Sequence, residues 1–187
     1  SSRIDFAPIS GEGSPVDTSH WIAAMPAALT APIERASQAP KGKRKRVERR
    51  VGAIALFTIT YDGTSTCDPR EPEDDAVRLL LNAHQKRDKG LGGPAEGPAA
   101  VTTVVSAFRS VGYAVASEAS DWHLGPDDRA VQRTLVDGWA EAATDMEPHH
   151  AATFEDWRQR RRRHIAEGRS SIVVGHHDVA AWPESIR

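Results

Sequence analysis

The stretch AIALFTITYDG, Ala53 to Gly63, decides how the rest of the chain reads. Ala53 to Thr60 is an unbroken apolar and β-branched run, too short for a typical helix and rich in strand formers. It predicts a strand buried on both faces, as in a parallel sheet. Tyr61-Asp62-Gly63 ends the run with turn chemistry. The same three residues stand beyond the carboxyl end of a presumed parallel strand, where open α/β sheets place their ligands. Both readings stay open: a plain turn, or a ligand-contacting loop.

Downstream, Pro72 and the acids Glu73, Asp74 and Asp75 open a helix with the sign its dipole favours, and Val77, Leu80, Leu81 and His84 stripe one side of it. A Gly/Pro-rich loop, Gly90 to Pro98, interrupts. A second helix carries Val101, Val104, Val105 and Phe108 and ends at Gly112, a residue suited to a left-handed terminus. Tyr113 to Glu118 alternates like a strand. Gly125-Pro126-Asp127-Asp128 opens a third helix bearing Val131, Leu135, Val136 and Trp139. Pro148 breaks it, helix resumes from Thr153 to Glu167, and Ser170 to Val174 forms a last strand closed by Gly175. The order β-α-α-β-α-α-β predicts an α/β layered domain over residues 51–187. Three strands make a small sheet, and one whose first strand is apolar throughout leaves surface uncovered unless neighbours exist.

Upstream, residues 1–50 read as an irregular arm. Pro8, Pro15, Pro26, Pro32 and Pro40 deny it a long helix, and only His20 to Leu29 is apolar-dense. The arm ends in KGKRKRVERR, Lys41 to Arg50, with seven basic residues and one acid.

Across all 187 residues, 24 basic side chains nearly balance 26 acidic ones, which excludes a globally basic nucleic-acid protein. One cysteine, Cys67, excludes an internal disulfide and any zinc site built on several thiolates. No apolar run is long enough for a membrane span and no secretory signal pattern is present, so a cytoplasmic protein is expected.

A buried strand ending in TYDG, a helix ending NAHQKRDKG (Asn82 to Gly90) and a helix running into VGYAV resemble the C-terminal half of a class I S-adenosylmethionine-dependent methyltransferase, within a bacterial, little-characterised branch. The segments SDWHLGPDDRAVQRTLVDGWAEAA (Ser120 to Ala143) and SIVVGHHDVAAWP (Ser171 to Pro183) extend the likeness. The resemblance implies a partial Rossmann-like sheet made of that fold's last three strands. The final strand runs antiparallel between the other two, and the helices between Pro126 and Glu167 are an insertion. It implies methyl transfer from S-adenosylmethionine to a small acceptor.

The family's donor site lies in its first half: a strand, a glycine loop of the form (Asp/Glu)-x-Gly-x-Gly, and an acid for the ribose. The nearest approach here is Ser10-Gly11-Glu12-Gly13, where Pro8 sits inside the would-be strand and no helix pattern follows. No donor residue is therefore assigned. A fragment or degenerate form is expected, completed by a homo-oligomer or a missing N-terminal half.

The candidate site residues are His84 and Asp88 as the catalytic pair, with Tyr61, Asp62, Asn82, Gln85 and Lys89 on the acceptor side. His84 and Asp88 are four apart on one helix face, so the carboxylate could hold the imidazole as a general base. The alternative is a solvated helix end with Lys89 on the dipole. His176, His177 and Asp178, with His149 and His150, invite a metal reading. Adjacent strand histidines point to opposite faces, however, so surface histidines and no metal are expected.

Arg158 and Arg160 to Arg163 fill five of the six positions from 158 to 163. With Lys41–Arg50 they offer the alternative function, a non-catalytic module docking on an acidic partner or nucleic acid. Consecutive arginines spread around a helix and no aromatic ladder accompanies them, so nucleic acid is disfavoured and a solvated face expected. Trp122, Trp139, Trp157 and Trp182 are expected to pack the core.

Overall fold

The computed structural model describes residues 53–89 and 92–184; the arm, its basic end and the Ser10–Gly13 motif lie outside them. Strand β1 (Ala55–Asp68) leads to helix α1 (Asp74–Gln85). After a 3₁₀ turn at Gly97–Ala99 come α2 (Ala100–Ser110), β2 (Tyr113–Ala119) and the short β3 (Trp122–Leu124). Helix α3 (Arg129–Met146), a 3₁₀ turn at Pro148–His150, α4 (Ala151–Ala166) and β4 (Ser171–Pro183) complete the order. The expected succession of strands and helices is present, with β3 as an addition.

β4 is the hub of the sheet. β1 pairs along one side of it and β2, then β3, along the other, all antiparallel. The last strand thus runs between the other two and opposite to both, as expected, and β1 and β2 run parallel to each other without touching. Alternation along β4 divides the core. Ile172 and Val174 face the cluster built by α1, α3 and α4, with Tyr61 and Cys67 of β1. Val179 and Ala181 are buried on the opposite face, where α2 packs and Phe108 meets Phe57 of β1 and Tyr113 of β2.

Four expectations need correcting. β1 does not stop at Tyr61; it passes through Asp62-Gly63 and continues to Asp68. Nor is it buried on both faces, since Ile54 (75 %), Leu56 (67 %) and Ile59 (52 %) are exposed. β1 is an edge strand here, and no described strand pairs with its outer side. β4 likewise runs through Gly175 to Pro183. Trp139 and Trp157 are core residues and Trp122 packs beside them, but Trp182 stands out at 41 % exposure.

The arginine run is only in part a solvated face: Arg162 and Arg163 are exposed, while Arg161 is buried. Helical phase from Phe154, Trp157 and Ile165 places Arg161 and His164 on the same buried stripe. Arg161 is fully buried, its Nε donating to Asp74 Oδ1 at 3.0 Å and a second nitrogen pairing with Oδ2; Trp157 Nε1 donates to Oδ1 at 2.8 Å. Arg161 also reaches the Pro69 carbonyl. Beside it, Glu71 receives Arg160 at 2.7 Å and contacts His164 at 2.6 Å. Arg160 also pairs with Glu73, Arg162 with Asp137 and Arg158 with Glu155. The run clamps α4 to the start of α1 and to α3. Gln132, fully buried on α3, does the same at the other end: its Nε2 donates to Gly125 O at 2.6 Å and Ser170 O at 3.2 Å.

Candidate functional site

Pairing along β4 changes at Gly175 on both sides: β1 shifts its register there, while β2 and β3 keep one register but break the ladder between them. On β1, pairing runs Tyr61↔His176 and resumes at Ser65↔Val174, so Asp62, Gly63 and Thr64 bulge outward beside Gly175. On the other side, pairing runs Ala119↔His177 and resumes at Trp122↔Val174, leaving Ser120 and Asp121 as the gap between β2 and β3. The sequence segments TYDG, SDW and VGHHD therefore meet in one band, midway along β1 and just past the carboxyl end of β2. Their meeting depends on sheet order, which spacing does not reveal.

Glycines make the band possible. A Cβ at Gly175 would lie 2.0 Å from Thr64 Oγ1 and 2.4 Å from Asp62 Oδ1. Those two side chains fold over it, Asp62 Oδ1 accepting from Thr64 N at 2.8 Å and Thr64 Oγ1 at 2.7 Å. Gly63 adopts φ +92°, and a Cβ there would meet Pro98 Cβ at 2.7 Å. Asn82 of α1 completes this corner, its Nδ2 donating to Gly63 O at 2.9 Å. Asp178 braces the band from both sides. Its Oδ1 accepts from Ser120 Oγ at 2.9 Å and from the backbone N–H of Ile59 at 2.9 Å, a residue held at the strained φ of +57°.

The two histidines point to opposite faces as expected, but His176 is not a surface residue. It is 6 % exposed, its ring 4.9 Å from that of Trp122 and 6.1 Å from that of Tyr61. Its backbone N–H donates to Asp121 Oδ1 at 3.1 Å, and Nδ1 lies 3.1 Å from Val174 O. Burial lowers its pKa, against the opposing pull of that carbonyl and of Asp62, Asp121 and Asp178. His177 lies half-buried on the other face, Nε2 3.9 Å from Asp62 Oδ2 and Nδ1 3.3 Å from Ser117 Oγ. The described residues hold no cluster of three or more His, Cys, Asp or Glu that suits a metal ion.

The structure divides the expected site residues. Tyr61, Asp62 and Asn82 belong to the band or border it. The Tyr61 hydroxyl is enclosed in the core, and burial pushes its pKa up to about 12 against the opposing pull of Ser65 beside it. Gln85 is buried along the Val77–Leu81 stripe of α1, its Nε2 unpartnered. His84 faces elsewhere. Two residues beyond Asn82 is about 200° around a helix, and His84 Nε2 accordingly turns to Asp145 Oδ2 of α3, at 3.6 Å. That carboxylate stands where Asp88 was expected; Asp88 itself forms a bridge with Pro94 beyond the helix end. Burial, with Lys89 and Arg87 nearby, lowers the His84 pKa despite Asp145, and burial and Arg87 lower that of Lys89.

Compared with known proteins, the chain matches no family model, no characterised protein and no solved structure.

Proposed function

We propose that residues 53–184 form the acceptor-side part of a class I methyltransferase-like α/β domain, acting in methyl transfer from S-adenosylmethionine to a small acceptor. The observation that carries this reading is the sheet order. Two mutually parallel strands flank a last strand that runs against both, the arrangement the resemblance implies for the fold's closing three strands. The chemistry-bearing segments then collect just past the carboxyl end of β2 and against the Asp62–Thr64 bulge of β1.

Within the described residues no cradle fits the donor. Asp62 is committed to Thr64 rather than free for a ribose, and the backbone at Gly63 is covered by Pro98. The described residues thus supply positioning and proton handling for the acceptor. Asn82 fixes the Gly63 corner, Asp62 and Asp178 hold the band rigid, and the His176 imidazole, its pKa lowered by burial, stays neutral near pH 7.

Four of the five arginines offered to an acidic partner in the alternative reading, Arg158, Arg160, Arg161 and Arg162, are already paired within the fold. The other half of that footprint, Lys41–Arg50, lies outside the described residues.

Calorimetry of the full chain with S-adenosylmethionine tests the transferase reading. Saturable micromolar binding supports it. Absent or millimolar binding, together with no transfer of labelled methyl to a panel of small acceptors, overturns it.

A further inference from the structure

We infer that His176, rather than His84, is the base that the site presents to its ligand, with Nε2 as the accepting atom. The inference deepens the transferase reading and rests on it for the ligand's identity, a small acceptor bearing an O–H or N–H group.

The tautomer argument comes first. A neutral imidazole has one N–H and one lone-pair nitrogen. Nδ1 of His176 lies 3.1 Å from the Val174 carbonyl, which only accepts, so the N–H belongs on Nδ1 and the lone pair on Nε2. Nε2 has no hydrogen-bond partner among the described residues. Unlike the enclosed Tyr61 hydroxyl, it is not shut off from solvent, so the small exposed part of the ring includes it.

The surroundings fix the ring. Trp122 lies against it, Tyr61 meets its edge, and Asp121 holds its backbone N–H. Its backbone is held on both sides, paired with Tyr61 of β1 and accepting from Ser120 N at 2.8 Å. His84 has none of this: its Nε2 is already turned to Asp145. In the step assigned here, the ligand's O–H or N–H proton passes to Nε2. Its bonding pair stays on the ligand oxygen or nitrogen as the nucleophilic pair, and His176 becomes an imidazolium. Three carboxylates, Asp62 on β1, Asp121 between β2 and β3, and Asp178 on β4, surround that cation and favour it once formed.

The test has two arms. Long-range proton–nitrogen spectra of the ¹⁵N-labelled full chain, with His176→Gln for assignment, should show His176 protonated on Nδ1 and bare on Nε2 at pH 7. Diethylpyrocarbonate should carbethoxylate it in the folded protein. A proton on Nε2, a charged ring at pH 7, or no modification short of unfolding overturns the inference, and these readings are taken on the wild-type chain. The second arm uses transfer activity: His176→Gln should lower the rate about a hundredfold, and by far more than His84→Asn does. The reverse order overturns the inference. A chain that binds no donor overturns the transferase reading instead, and the spectra then decide the state of His176 by themselves.

Discussion

Gly175 of β4 lies directly beneath Asp62 of β1, so close that a Cβ on the glycine would sit 2.4 Å from the carboxylate oxygen. The Asp62–Thr64 turn occupies the space a side chain would need, and the local bulge and the missing side chain are one feature. Gly175→Ala should therefore push the bulge outward and cost about 1–3 kcal/mol, the usual range for overpacking. Urea unfolding measures this. A loss below a few tenths of a kcal/mol would show that Asp62 and Thr64 do not rest on this glycine.

The buried pair Arg161–Asp74 predicts an asymmetry between its two ends. Asp74→Ala leaves a guanidinium in the core with only the Pro69 carbonyl, and should cost about 3–5 kcal/mol. Arg161→Met combined with Asp74→Leu removes both charges and should be markedly less damaging. Denaturant midpoints for the two proteins, measured side by side, check the order; equal losses would contradict it.

Acid should weaken the fold in two separate windows. Burial alone would raise the Glu71 pKa, but hydrogen bonds from His164 and Arg160 outweigh it and hold the carboxyl below its usual value. Its contribution is therefore present above the unfolded pKa of about 4.3 and is lost as pH falls through the lower folded value. His84 and His176 have lowered pKa values, so below about 6.5 the unfolded chain takes up protons that the folded chain refuses. Stability should accordingly rise with pH up to about 6.5. A melting-temperature series from pH 4 to 8 shows both effects, and His84→Asn should flatten the upper one.

Cys67 should be silent in the folded protein. It is buried against the α1–α3–α4 cluster, and burial pushes its thiol up to about 12. Ellman's reagent at pH 8 should label it only at the rate of unfolding. As the chain's one cysteine it then reports global opening without interference. Immediate labelling of native protein would mean that β1 opens there.

Much of this was legible in the chain itself. The apolar run from Ala53, the acidic start of α1, Gly112 at φ +81° and the Pro148 break each placed an element within a few residues, because these are local effects. The site was legible in part. Asp62 and Asn82 meet at Gly63, whereas His84 and Asp88 share a face by spacing yet His84 turns to Asp145, on a helix some sixty residues away in sequence. The arginine run misled for the same reason. Charge count suggests solvent, but helical phase and the acids at Glu71, Glu73 and Asp74 draw the side chains inward.

The sequence by itself determined which segments are helix and strand, since periodicity, capping chemistry and glycine freedom act over a few neighbouring residues. Only the tertiary structure decided that β4 divides β1 from β2, that β1 shifts register beside Gly175, and that one histidine of an adjacent pair is enclosed while the other is not. Those outcomes depend on contacts between residues about fifty to more than a hundred positions apart, where burial and competition between strands, not local preference, set the result.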